Sequence, residues 1–435
     1  MPTDPPAARV LGLRLAPHAA RSAVLREVHA RPFHPVFTPR RLLHFGFITD
    51  AARGAADRRS LAAFCAAHDA PPPGEGVKHH RVSLGGVDLR WEQHSEFTTY
   101  TWDLHGDANA PFARLPAALR ALIAGLPQPG PHLVAADLNL LAEADVPNLA
   151  ALFDSASLAA SRVDDGAAIV ATDFQLTDDS AVRLLLLDRG LTPLRAGALS
   201  QRLLEIETYR TLALLGLPEA QRLAPEVQRI EARLSQIASI MTETASLDAD
   251  HLLLDDLTAL AAEVEADAVG SGVRFGASRA YDQIVQQRLA AIGEVALPGY
   301  PTLAAFLARR MAPAMRTCQM LEARQGDLAR KLARAANLLR TRVDVAIEQQ
   351  NRDLLRSMNA RTRMQLRLQQ TVEGLSIAAI SYYVVGLLAH LTDGVRAAGY
   401  LPIEPAITTA VSVPIVVLAI ALVVRRIRRR HAKHD

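Results

Sequence analysis

Two apolar runs near the C-terminal end, Leu375 to Leu391 and Ile407 to Val424, limit what this chain can fold into more than any other feature. A bilayer core about 30 Å thick needs roughly 17 to 25 apolar residues of helix, and each run is just long enough. The pair predicts a transmembrane hairpin with the lipid bilayer as its partner. Arg361, Arg363 and Arg367 precede the first run, and a basic tail from Arg425 to Lys433 follows the second. The connecting stretch from Thr392 to Pro405 holds only Arg396. Positive charge is retained on the cytoplasmic side, so both termini are expected there. Met1 to Arg21 contains Pro2, Pro5 and Pro6 and no continuous apolar stretch, which argues against a secretory signal.

At 435 residues the chain exceeds one ordinary domain, so two soluble modules plus the anchor are expected. A net charge of +3, with the positive residues gathered near the apolar runs, gives no basis for nucleic-acid binding. Cys65 and Cys318 are the only cysteines, which excludes a disulfide framework and suits a reducing compartment.

The fold class expected is an α+β membrane protein: an N-terminal mixed α/β domain, a long-helix stalk and two C-terminal transmembrane helices. Residues 1–195 carry the strand signals. Arg81 to Leu84 and Val87 to Glu92 flank Gly85-Gly86, a pair suited to the positive φ of a two-residue hairpin turn. Leu42 to Ile48, Phe97 to Leu104 and His132 to Leu140 read as further strands, and Ala167 to Phe174 with Val182 to Leu187 as a second hairpin. Helices are expected over Ala19 to Ala30, Ala51 to His68 and Pro111 to Gly125.

Residues 196–301 read as helical, with a split near Gly216-Leu217-Pro218 and a break from Gly270 to Gly276. Residues 302–374 form one long basic stalk helix, on which Leu328, Leu332, Ala335, Leu339, Val343 and Ala346 make a coiled-coil-like seam that protomers of a homo-oligomer could share. The spans are then 375–391 and 407–424, with an outer loop at 392–406 and a cytoplasmic tail at 425–435.

No phosphate loop, nucleophile elbow or dinucleotide fingerprint is present, so no catalytic residue is assigned and an enzyme is not expected. Three groups could bind something. Glu27, His29 and Arg31 in the string EVHARPF, with His34 just beyond, put a base, a proton carrier and a cation at a helix-to-extended junction, because the residue before Pro32 is turned away from helical angles. The plainer reading is a structural pairing. Asp255, Asp256, Glu263, Glu265 and Asp267 share one predicted helix and could collect a divalent cation, or simply pair with arginines of the long helix. Ser376, Tyr383 and His390 recur every seven residues in the first span and could line a pore in an oligomer. Ten of the 14 histidines lie at or before His132, yet none shows paired metal-ligand spacing, which leaves metal and cofactor unassigned.

The C-terminal half resembles CorA-type magnesium transporters in architecture. That family's Gly-Met-Asn motif is absent from Gly386 to Gly394, which reads Gly-Leu-Leu-Ala-His-Leu-Thr-Asp-Gly. Over nearly the whole chain, the strings EVHARPF, SRVDDGAAIVATDFQL, LLEIETYRTLALLGLP and QTVEGLSIAAISYYVVGL are similar to an uncharacterised bacterial family of membrane-anchored proteins, domain-of-unknown-function family 3422. The resemblance implies a bacterial inner membrane location and carries no site residue. The expected role is an oligomeric scaffold or sensor. A divergent divalent-cation transporter and a membrane-tethered hydrolase around His29 are the alternatives.

Overall fold

The computed structural model describes residues 8–10, 13–15, 18, 20–21, 24–25, 33–146, 148–243, 246–397 and 405–431. The helix expected from Ala19 to Ala30 lies largely outside the described residues, and Glu27, His29 and Arg31 lie wholly outside them. In chain order the elements are β1 (Ala8–Val10), β2 (Leu13–Leu15), β3 (Arg40–Ile48), α1 (Ala51–Ala67), β4 (His79–Leu84), β5 (Val87–Gln93), β6 (Phe97–His105), α2 (Ala117–Ala124), β7 (His132–Ala142), β8 (Ala159–Val163), β9 (Ala168–Thr172), β10 (Val182–Asp188), α3 (Pro193–Leu214), α4 (Gly216–Glu243), α5 (Leu247–Ala291), β11 (Val295–Ala296), α6 (Leu303–Ala397) and α7 (Pro405–His431). They fall into two compact units, residues 1–242 with 255–335 and residues 243–254 with 336–435.

The first unit holds a nine-stranded mixed sheet of order β11-β8-β9-β10-β7-β3-β6-β5-β4, while β1 and β2 pair separately as an antiparallel hairpin. Within the nine-stranded sheet only β10 and β7 run parallel, in a register that sets Val182 beside Ala136 and Asp188 beside Ala142. Gly85 and Gly86 adopt φ of 61° and 92° in the β4–β5 turn, as a two-residue hairpin requires. Asp50 starts α1 by accepting the Arg53 amide at 2.7 Å, and Thr192 followed by Pro193 starts α3 in the same way. Both edges of β10 are paired and both faces of its Leu184–Leu187 stretch are buried, which is why these four positions are all leucine.

Each face of the sheet has its own cover. On the front, Leu42, Leu138, Leu140, Leu184 and Leu186 pack with Leu199, Leu203 and Ile206 of α3, Val285 and Leu289 of α5, and Phe306 and Met311 of α6. On the back, Trp91, Tyr100 and Trp102 lie in one core with Leu61 and Phe64 of α1. Leu141, Leu185 and Leu187 lie in another with Phe112 and Phe153, from the connections either side of β7.

The helices depart from the expectation in three places. The break at Gly270 to Gly276 does not occur, and α5 runs unbroken for 45 residues. A helical glycine costs only about 1 kcal/mol relative to alanine. Full burial of the Phe275 side chain beside these glycines offsets that cost. The helix expected from Pro111 begins only at Ala117, and Phe112 takes a φ of 60° that no helix permits. The seam on α6 is not a free surface: Leu328, Leu332, Leu339 and Val343 are 1%, 0%, 0% and 5% exposed within the single chain. Its partners are therefore intramolecular, which overturns its use between protomers.

In the second unit, every α6 residue from Asn351 to Thr371 is exposed. The α6 helix continues past Leu391 to Ala397, shortening the expected outer loop. Val424 of α7 borders the same shallow groove as Thr362 to Ser376 of α6, which brings the C-terminal end of the second apolar stretch close to the start of the first. Both helices are long and apolar enough to cross a membrane by length and composition. Their most apolar windows are only 6% and 0% buried, unlike the core helix of a water-soluble domain.

Candidate functional site

On the front face, apolar cover stops at β3. Beyond it, alternation turns Thr99, Thr101 and Asp103 of β6, Asp88, Arg90 and Glu92 of β5, and Arg81 of β4 to this side, with Trp91, Tyr100 and Trp102 on the other. His34 is brought to this polar quarter by the segment before β3. The Val36 amide donates to Pro193 O at 2.9 Å, and the His34 carbonyl rests on Gly197 of α3. A cavity of about 40 Å³ remains between His34, Arg81, Asp88, Arg90, Asp103 and Gln201.

Its charges are partly paired. Arg81 donates to Asp88 at 2.7 Å and Arg90 to Gln201 at 3.1 Å, while Arg40 lies 3.8 Å from Asp103. Arg90 Nε and Asp103 Oδ1 have no hydrogen-bond partner. Burial holds the His34 imidazole below its ordinary value, with help from Arg81, Arg90 and His79. Burial also pushes the Asp103 carboxyl up against the opposing pull of Arg40. Asp88 goes the other way, because hydrogen bonds from Ser83 and Arg81 outweigh its burial. A space this size holds about two water molecules, which would satisfy one orphan donor and one orphan acceptor. It is too small for an organic substrate, and only His34 of the expected EVHARPF group is described beside it.

His44, one of the many N-terminal histidines, is 4% exposed and bridges the sheet to α3. Thr208 gives its hydroxyl proton to Leu204 O at 2.8 Å, so towards His44 Nε2, 2.9 Å away, it must accept. The proton therefore sits on Nε2, and Nδ1 accepts from Thr101 at 2.8 Å. Burial, followed by the Arg90 charge, lowers the imidazole pKa to about 3, so this ring is a neutral structural bridge at physiological pH.

A second cavity of the sheet domain, about 220 Å³, lies on the back face over β3, β7 and β10. Arg41 makes a two-pronged bond to Asp137, at 2.9 and 2.7 Å, and a third bond of 2.6 Å to Ala113 O, tying the Phe112 loop to the sheet. Arg183 stacks 5.2 Å from the Phe112 ring centre, and Arg114 and Arg120 complete the basic lining. None of these residues was singled out from the sequence. The signal was a charge inside an apolar strand, Arg41 in RRLLHFGFI and Asp137 in HLVAADLNLLA, since a half-buried charge demands a partner.

The acidic residues of α5 do not converge. Asp256 accepts from Arg233 at 2.8 Å and Glu263 pairs with Arg229, both arginines belonging to α4 and not to the long helix. Asp255 and Glu265 are exposed, and Asp267 is half-buried. Among the described residues no three His, Cys, Asp or Glu side chains gather as a metal site would need. Ser376, Tyr383 and His390 are exposed on the single chain, and the Ser376 hydroxyl is taken up by Val372 O of its own helix at 2.9 Å.

The chain combines a mixed-sheet α+β domain with two helices that are long and apolar enough to cross a membrane. The chain belongs to the family described as protein of unknown function DUF3422, which matches residues 16–431. No curated protein and no solved structure matches it.

Proposed function

We propose that this chain is an integral protein of the bacterial inner membrane, anchored by the α6–α7 hairpin. Both termini and the sheet domain face the cytoplasm, and the protein acts as a homo-oligomeric scaffold or sensor, not as an enzyme. The exposure of the hairpin carries this reading. Leu375, Tyr382, Leu387 and Leu391 are 77%, 79%, 70% and 63% exposed, an apolar surface that water does not tolerate and lipid does. Arg361, Arg363 and Arg367 flank one helix, and Arg425 and Arg426 the other, at the same end of the pair, which supports the orientation. Oligomerisation draws support from a different stretch than the expected seam. Ile347, Leu354, Met358, Leu368, Val372 and Leu375 follow a heptad spacing and are all exposed.

Alkaline carbonate extraction and reporter fusions test the reading. The protein is expected to stay in the membrane pellet. Alkaline phosphatase should be inactive after Asp435 and active when inserted between Ala397 and Pro405. Cross-linking in mild detergent should give an oligomer. Extraction into the soluble fraction overturns the anchor, an active C-terminal phosphatase overturns the orientation, and a monomer overturns the scaffold.

A further inference from the structure

The back-face cavity has more positive charge than its own carboxylates can match. Arg41 and Asp137 neutralise each other, which leaves Arg114, Arg120 and Arg183 against Asp179. Among the described residues none of those three arginines forms an ion pair, so three cations and one anion leave an excess of two positive charges. Arginine's planar fork is matched to carboxylate and phosphate oxygens. We propose that this cavity binds a small organic anion, a carboxylate or phosphate carried on a compact apolar body about the size of one ring.

Size and walls point to the same class. An apolar cavity of about 150 Å³ admits benzene, so 220 Å³ accommodates a ring together with an anionic group. Phe45 and Phe112 supply flat apolar wall, and Arg183 is held over Phe112 instead of reaching a carboxylate. Two of the six non-glycine residues with positive φ among the described residues lie in the loops that border the cavity. Phe112 and Ser180 have φ of 60° and 58°, a region that L residues rarely occupy, and such residues cluster at ligand sites. Arg41 clamps one of these loops to β7 through Ala113 O and Asp137, so the lining is built before any ligand arrives.

The site goes beyond membrane attachment and stands without it. The test is calorimetric titration and thermal melting of the full chain in detergent with benzoate, phenyl phosphate, inorganic phosphate and the neutral isostere benzamide. Saturable binding of benzoate or phenyl phosphate is expected, and whichever binds tighter identifies the anionic head as carboxylate or phosphate. Arg183→Gln and Arg120→Gln should each weaken it by about tenfold or more. Arg120 is exposed, so R120Q should fold normally and keeps the test valid if R183Q does not. The proposal fails if neither organic anion binds, if benzamide or inorganic phosphate binds as well as they do, or if R120Q leaves binding unchanged. Carbonate extraction of the same variants reads the anchor separately.

Discussion

The backbone carbonyl of His34 lies against Gly197 so closely that a Cβ at that position would overlap the oxygen. Backbone cannot yield as a flexible side chain can, so Gly197→Ala must push residues 33–36 off α3. A loss of about 1–3 kcal/mol is expected, as for other overpacked sites, and chemical denaturation measures it. An unchanged midpoint would mean that the segment is loosely held.

His44 makes stability depend on pH in a defined direction. In the unfolded chain the imidazole takes up a proton near 6.5, whereas in the fold it resists until about 3. Acid therefore favours the unfolded chain. The contribution is complete above 6.5 and falls as pH drops through that window, by at most about 1.4 kcal/mol per pH unit. Denaturation at pH 7.5 and pH 5 should show a smaller loss in His44→Gln than in the wild type. Equal losses would rule out His44 as the source.

Asp57 of α1 is 3% exposed and accepts from Trp91 Nε1 at 2.7 Å and from the Tyr100 hydroxyl, so one carboxylate serves two buried donors. Asp57→Ala strands both donors and is expected to cost about 2–6 kcal/mol, at about 1–3 kcal/mol for each. Asp57→Asn retains one acceptor and should cost less. Denaturation followed by fluorescence of Trp91 and Trp102, the two tryptophans of this core, measures the loss.

Gly270 and Gly272 sit inside α5 with open space where a Cβ would go. If the helix is continuous in solution, G270A and G272A should each stabilise by about 0.5–1 kcal/mol. A loss of stability would restore the break that these glycines suggest in the sequence.

What the sequence makes readable here is local. Gly85-Gly86 announces the β4–β5 hairpin, and the Thr177 to Ser180 turn announces the antiparallel meeting of β9 and β10. The split between α3 and α4 falls at Gly216 as the spacing predicts. What stays hidden is non-local. The parallel register of β10 on β7 joins strands that are not neighbours in sequence, and no turn chemistry specifies it. The Arg41–Asp137 clamp spans 96 residues, and β11 is a two-residue strand that takes its place only because β8 offers an open edge. The acidic residues of α5 looked like a ligand cluster in one dimension. In three, two of them answer arginines of α4.

The last strand of the sheet, Val295–Ala296, and the last side chain of its front core, Met315, both precede Leu375 in the chain. The sheet-bearing unit runs to residue 335, so a ribosome has delivered all of it some forty residues before the first apolar run begins at Leu375. Domains generally fold as units and in order of synthesis. The two apolar runs thus emerge after a domain that needs nothing from them in order to close its core.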